Sequence, residues 1–540
     1  MRRCPLSLTH SLFSLWVYLY PRPGTCQVVS LCYGGLRLLS AALSEAERNG
    51  GGLPEYILSE LRRMAELSFK YAEPSQPLDL VKALAGRMHL YEPSALLSSP
   101  YEWPDARQGK ASTLPALSGL LSALTPANGC VVLVGADGQT SVAPAASGRP
   151  PAAEAAKVVA VEQGAGECAA EEEGERWQTE RWYATRYALD SVSGSTLEGW
   201  ARAMPHPRLR LPPPNPYVPE DLQMILPPPS GATPSAPRAP ARLTPPSHEE
   251  AQGARVWHLD TGHFDRPRAS ALLLLRTPLV SDTTPASAVL TELACQMLSD
   301  VMTTPLASCA PAGLGWAVSP HAGGLLVQAG GYSQRLPRLS LDLAASLAAF
   351  SPDHGRFELL REQLSRALRN RAQERPLWHA QYAVSHALTL PTVHHDEARA
   401  FVDSAYCTAE AVGAHLRAIS RSHFAELLVH GNLPPSAALE LSSAWRHALS
   451  ENLPELHAEQ AALPSDCAPL PQTTLLPAGG PTLRLRGVAS HPDEVNSAIE
   501  LHLQVAAEPT LRQEALLLLL SQVDNRRVTA TCQRHAQTVV

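Results

Sequence analysis

Residues 227–250 read PPPSGATPSAPRAPARLTPPSHEE, and this stretch decides how the rest of the chain divides. Pro227, Pro228, Pro229, Pro234, Pro237, Pro240, Pro245 and Pro246 interleave with Ser, Ala, Gly and Thr. Proline has no N–H to give to a helix or a ladder, and a segment so poor in large apolar residues cannot bury enough surface to offset its ordering. The stretch therefore reads as a semi-extended linker of polyproline II character. It joins two folded halves.

Upstream of it the chain reads as helices followed by a strand. Leu36, Leu38, Leu39, Ala42 and Leu43 mark one amphipathic helix. Pro54 stands at a helix start, where a missing N–H costs nothing, and Tyr56, Ile57, Leu61, Met64, Ala65 and Phe69 follow at helical spacing. Further helices are expected near Leu78–Met88 and Thr113–Leu124, and a buried strand over Val131–Val134. Between Ser147 and Gly174 the Ala-, Gly- and Glu-rich chain has little periodicity and reads as solvated loop, with an acidic run at Glu171–Glu173. An aromatic group follows: Trp177, Trp182, Tyr183, Tyr187 and Trp200.

Downstream, a strand begins at Trp257 and a second covers Ala271–Arg276. A helix is expected over Ala286–Met302, and a strand pair at Gly315–Ser319 and Gly324–Gly330. Helices then cover Leu339–Phe350, Gly355–Ala372, Pro376–Leu388, Asp396–Val402 and Thr408–Ile419. A strand at Ala425–Val429 and a helix at Ala437–Leu449 close this α+β half. Ile499, Leu501, Leu503 and Val505 alternate with polar residues, which predicts a half-buried strand. A helix from Thr510 to Leu520 follows, with Leu516–Leu520 read as core; a domain of one strand and one helix has no complete core of its own, which suggests truncation.

The 540 residues are 45% hydrophobic and 18% charged, an ordinary globular balance that at roughly 100–200 residues per domain makes about three domains. A net charge of −7 gives no basic footprint, so no nucleic-acid partner is expected. The ten cysteines contain no C-x-x-C pair and fit reduced thiols, hence a cytoplasmic expectation. Arg2 and Arg3 precede an apolar stretch from Pro5 to Tyr20, which is interrupted by Ser7, Thr9, His10, Ser11 and Ser14 and too short to span a bilayer. It reads as an irregular start, with a targeting segment as the alternative, and no membrane partner is expected.

Several strings, in one order along the chain, resemble the insulin-degrading and nardilysin branch of the pitrilysin family. They begin with Leu53–Pro54–Glu55–Tyr56 through Phe69, and Leu78 to Tyr91 with His89 and Leu90. Residues 182–187 (WYATRY) resemble the family's W-Y-G-T-x-Y, and residues 211–219 (LPPPNPYVP) its L-P-x-x-N-x-[FY]-[IV]-P. Leu226–Pro227 resembles the connector between the family's two halves. Beyond it, Val256–Trp257–His258, Phe357 to Asn370, Glu374–Arg375–Pro376, His379–Ala380–Gln381–Tyr382, residues 427–432 (LLVHGN) and Asn496 to Val505 continue the series. The resemblance implies an α+β fold of repeated pitrilysin-type domains, each a β-sheet covered by helices, in two halves around a chamber. It implies an irregular N-terminus over 1–26, the C-terminal part of a second domain over 27–221 and a Pro-rich linker over 222–254. A third domain follows over 255–470, the start of a fourth over 471–525 and an irregular C-terminus over 526–540.

The resemblance also implies a zinc metalloendopeptidase acting on peptide substrates, with zinc held by an inverted H-x-x-E-H in the first domain. Two histidines one turn apart supply nitrogen ligands and the Glu acts as general base. This chain has no such string, so no catalytic, metal or cofactor residue is expected and no zinc is expected to be bound. The chain is expected to be inactive alone, or to be a partner of a catalytic homologous chain or of itself. His491–Pro492–Asp493–Glu494–Val495 has Val where the second ligand would stand. His248–Glu249–Glu250 begins H-E-x-x-H, but Gln252 ends it. His394–His395–Asp396–Glu397 reads as a helix start whose adjacent histidines face apart. His379 and His386 lie two turns apart, too far to share an ion. His430 reads as a structural turn residue, and Arg526 and Arg527 lack the string that would align them with the family's substrate-facing Arg.

Overall fold

The computed structural model describes residues 25–48, 55–101, 113–135, 157–162, 177–225, 239–244, 253–260, 266–280, 284–390, 392–451, 467, 472–477, 484–487, 494–506 and 509–522. The chain forms two compact units, Met1–Asn215 and Pro216–Val540. The expected N-terminal stretch, the acidic run at Glu171–Glu173 and most of the proline-rich linker lie outside the described residues.

In the first unit the helices fall where periodicity places them: α1 Thr25–Arg48, α2 Glu55–Lys70, α3 Pro77–Arg87 and α4 Thr113–Ala123. Helix α3 starts with Pro77 in its first turn, where proline is preorganised. A four-stranded mixed sheet follows, in the order β1-β2-β4-β3. Strand β1 (Cys130–Gly135) runs parallel to β2 (Lys157–Glu162), and β4 (Arg186–Ser191) is antiparallel to β2 and to β3 (Trp177–Thr179). Strand β2 corrects the expected loop at 147–174. Its Val158–Val161 run is short, and pairing on both sides with distant segments is what makes it a strand.

Helix α5 (Gly194–Ala201) starts on Ser193, whose hydroxyl accepts the Thr196 N–H at 3.2 Å. It buries Trp200, which stacks on Tyr33 of α1 at 6.3 Å. Trp182 and Tyr183, by contrast, sit on an exposed turn. There the Glu180 carboxylate accepts the N–H groups of Trp182 and Tyr183, at 2.7 Å each. Ala184 takes φ +54 in this turn, where the family string carries Gly. A Cβ in the left-handed region costs roughly 1–2 kcal/mol.

The second unit is built on a six-stranded sheet in the order β5-β6-β11-β7-β9-β8. In chain order these are β5 Ala241–Arg242, β6 Ala254–Leu259, β7 Arg268–Arg276, β8 Gly315–His321, β9 Gly324–Tyr332 and, later, β11 Phe424–Gly431. Between them come helices α6 (Pro285–Thr303), α7 (Leu336–Ala348), α8 (His354–Asn370) and α9 (Pro376–Leu388), then β10 (Thr389–Leu390), α10 (His395–Val402) and α11 (Ala409–Arg421). Helix α12 (Pro435–Glu451) and β12 (Gln472–Thr473) follow. Strands β6 and β11 are parallel, and the other ladders of this sheet are antiparallel.

Strand β7 alternates strictly between buried and half-buried residues, so Leu273 and Leu275 face the core. The helices complete that core with Leu293, Leu298 and Met302 of α6, Leu336, Leu339 and Leu343 of α7, and Phe357 of α8. Side-chain caps fix where they begin: Thr284 accepts from Ser287, Asp353 from Arg356 and Thr408 from Ala411.

Strand β5 corrects the reading of residues 241–244 as linker. Ala241 pairs with His258 and Arg242 with Trp257, and the buried Thr244 hydroxyl accepts the Val256 N–H at 3.0 Å. An edge strand needs hydrogen bonds on one side only, which is why a proline-flanked segment can serve.

The LLVHGN string shows its purpose here. Gly431 takes φ +117, and a Cβ there would lie 2.4 Å from the Arg268 carbonyl oxygen, so only glycine fits. Asn432 is buried beyond it: its amide oxygen accepts the Ile225 N–H at 2.8 Å, and its amide nitrogen donates to the Gln223 carbonyl and to Ser333 Oγ, both at 3.1 Å. The YVP end of residues 211–219 docks on α7 through the buried Tyr217, whose hydroxyl donates to Asp342 at 2.7 Å.

Two C-terminal expectations are corrected. Residues 499–505 join no ladder, and Ile499, Leu501 and Leu503 are 91%, 74% and 79% exposed. Helix α13 (511–522) forms as expected, but Leu516, Leu518 and Leu520 are exposed instead of core.

Candidate functional site

The chemistry of this chain turns on its histidines. No two of the 20 stand four residues apart, so no helix can present the paired imidazoles of an H-x-x-E-H motif. His491, His248, Glu249, Glu250, Arg526 and Arg527 lie outside the described residues. Glu494 accepts the Asn496 backbone and side-chain N–H groups at 2.7 Å each, and Val495 beside it is 92% exposed. His430 is a strand residue of β11, paired with Leu259 and Ser270, which corrects its reading as a turn residue. His258 is buried, with Nε2 2.7 Å from the Leu433 carbonyl. His415 holds Thr291 Oγ1 at 2.9 Å, and His423 lies against the Ile419 and Ser420 carbonyls at the end of α11. Burial holds the pKa of both below the ordinary imidazole value, so they are neutral structural groups.

Three buried cysteines offer no nucleophile either. Burial pushes the Cys309 and Cys407 thiols up to about 11 and raises Cys295 as well. None is a thiolate at neutral pH.

One group of side chains departs from the sequence expectation. Helix α9 carries Trp378, Tyr382 and His386 one turn apart, and their rings stack in a column. The centroids lie 5.1 Å apart for Trp378–Tyr382 and 5.8 Å for Tyr382–His386, with the planes within 12°. The chain then returns, and α10 begins against this column. The Tyr382 hydroxyl accepts the His395 N–H at 3.0 Å. His394 meets His386 edge-on at 5.1 Å and its neighbour His395 at 4.1 Å.

The sequence reading has His394 and His395 facing apart, and the structure corrects it. His394 is not inside the helix: it is the N-cap, with φ −70 and ψ 143. The rule for adjacent helical side chains therefore does not apply to it. Its Nδ1 accepts the Asp396 N–H, and Glu397 bonds back to the His394 N–H, forming a capping box with His in the place usually taken by Ser or Thr. One donor atom each from His394, His395 and Asp396 lie within 4.8 Å of one another. Burial and the neighbouring His394 hold His395 below the ordinary imidazole pKa, so it is neutral. The sequence reading places the helix start here correctly, but applies the rule for adjacent helical side chains to a pair of which His394 is the cap.

Sheets and helices together define an α+β protein. A family model described as the middle or third domain of peptidase M16 matches residues 69–400, and the chain belongs to that family. It is 23% identical to the insulin-degrading enzyme of Homo sapiens over 402 residues, which is 74% of this chain and 34% of that protein. It is 28% identical to the peroxisomal insulin-degrading enzyme-like 1 of Arabidopsis thaliana over 213 residues, covering 39% of this chain and 21% of that one. The crystal structure of pitrilysin superposes with a TM-score of 0.53 at 20% identity, over 79% of this chain and 38% of that chain, which shows a shared fold. The chain thus spans about a third of the length of the human relative it matches. The family's catalytic zinc does not fit these residues, because the i,i+4 histidine pair that would hold it is absent from the sequence.

Proposed function

We propose that this chain is a non-catalytic part of a pitrilysin-type zinc metalloendopeptidase. It would form wall and support for a peptide-holding chamber whose bond-breaking residues are not among these 540. The carrying observation is the pairing of a family match over residues 69–400 with a set of histidines that contains no i,i+4 pair. The domain assignment follows from the same reading: residues 27–221 as the end of a second domain, 255–470 as a third and 471–525 as the start of a fourth. A cytoplasmic setting is supported by free cysteines and a lack of C-x-x-C spacing. Among the described residues no helix is long and apolar enough to cross a membrane.

The test is the purified chain with added Zn²⁺ and an internally quenched peptide. No chelator-sensitive cleavage is expected, and any cleavage abolished by a chelator overturns the reading.

A second reading, a subunit that docks on a catalytic homologous chain or on its own copies, is favoured by a specific observation. Residues 499–505 carry the alternation of a strand yet are exposed, and so is the leucine run of α13. An exposed apolar segment with the alternation of a strand invites pairing with another chain. The mass of the endogenous protein separates the two readings. An immunoblot with an antibody to residues 374–432 that shows a band well above 57.9 kDa supports the first. A band at that mass, with co-purification of a chain bearing H-x-x-E-H, supports the second.

A further inference from the structure

We propose that His394, His395 and Asp396, with His386 as a fourth donor, form a binding site for a divalent late first-row transition metal ion such as Zn²⁺. Nothing in the proposed peptidase role requires it. The donor spacing, two adjacent histidines and an aspartate reached by a histidine from the preceding helix, is also unlike H-x-x-E-H.

The geometry is close to that of a bound ion. Tetrahedral zinc with bonds of about 2.0–2.2 Å sets its donor atoms roughly 3.3–3.5 Å apart. Asp396 Oδ2 already lies 3.5 Å from His394 Nδ1, and Asp396 Oδ1 lies 3.8 Å from His395 Nε2. Two imidazoles on one such ion have centroids about 5 Å apart, and His386 and His394 stand at 5.1 Å with their planes 70° from parallel.

A second, independent observation points to a ligand. Nδ1 of His386, Nδ1 of His395 and Nε2 of the neighbouring His379 are buried, and none has a hydrogen-bond partner. A buried polar atom left unpaired costs about 1–3 kcal/mol, and three in one cluster is a concentration of unmet bonding capacity. An ion would take up part of it at His386 Nδ1, whereas His395 would ligate through Nε2, the nitrogen nearer Asp396. Neutral imidazoles are the form that ligates.

Two features oppose a cation, namely the positive end of α10 and the Arg371 guanidinium, whose charge is felt at His395. Asp396 and Glu397, both in the first turn, offset them. The nitrogen-rich donor set favours Zn²⁺, Cu²⁺ or Ni²⁺ over Mg²⁺ or Ca²⁺. Binding through His394 Nδ1 would replace its long 3.3 Å bond to the Asp396 N–H and leave the Glu397 half of the capping box in place.

The test uses the full purified chain. Zn²⁺ is titrated against a chromophoric chelator, and Co²⁺ is added to read coordination from its visible absorption. One ion per chain at micromolar or tighter affinity is expected, with a Co²⁺ spectrum of tetrahedral intensity. Asp396→Asn is the decisive variant, because its carboxylate is 63% exposed and outside the core. His394→Asn keeps an N-cap side chain. Each is expected to weaken Zn²⁺ at least about tenfold with an unchanged thermal melt of the metal-free chain. His386→Gln should shift the Co²⁺ spectrum away from that of the parent. Absence of stoichiometric Zn²⁺ binding by the parent chain overturns the proposal, and so does parent-like affinity in both the Asp396 and His394 variants.

Discussion

Two stretches of the second unit carry the side-chain alternation of a strand, and only one is a strand. Phe424–Gly431 lies between β6 and β7, hydrogen-bonded on both sides, with Leu427 1% and Val429 0% exposed. Residues 499–505 have Ile499, Leu501 and Leu503 in the same period, yet they meet no neighbour in a ladder and stand in solvent. Away from water, the backbone N–H and C=O groups of a strand are satisfied chiefly by a neighbouring strand. Alternation therefore specifies which face would be buried, and partners decide whether anything is.

That contrast can be broken by mutation. Leu427→Ala removes a fully buried side chain and is expected to cost about 2–5 kcal/mol in urea denaturation of the second unit. Asn432→Ala should cost less, about 1–3 kcal/mol, because it removes three hydrogen bonds and strands the Ile225 N–H. Leu503→Ala, at the exposed stretch, is expected to stay within about 0.5 kcal/mol. Equal losses at Leu427 and Leu503 would show that residues 499–505 are buried in solution. A catalytic homologous chain that protected the amides of 499–505 from hydrogen exchange would sharpen the contrast, by supplying the partner the stretch lacks.

The helices were the most legible part of the chain. Pro376–Leu388 is observed with the ends read from its proline and its apolar spacing, and Leu78–Met88 and Thr113–Leu124 are matched to within a residue. The hydrogen bonds of a helix close within the segment, so a local pattern carries most of the information. The short strands were the least legible. Val158–Val161 was hidden in an Ala-, Gly- and Glu-rich context, and Ala241–Arg242 in a proline-rich one, because each is stabilised by a segment far away in sequence. The histidine cluster was misread for a related reason. Side chains that diverge within a helix converge once the first of them stands outside it as the cap.

The sequence by itself determined the helix positions, the family strings and the want of a histidine pair for catalytic zinc. These rest on local spacing or on the presence of a residue type, and folding does not alter them. The tertiary structure alone decided which alternating segments became strands, where the linker joins the sheet, and that His386, His394, His395 and Asp396 share one small volume. Each of these depends on backbone groups or side chains brought together from separate elements, and such meetings are fixed by packing of the whole unit.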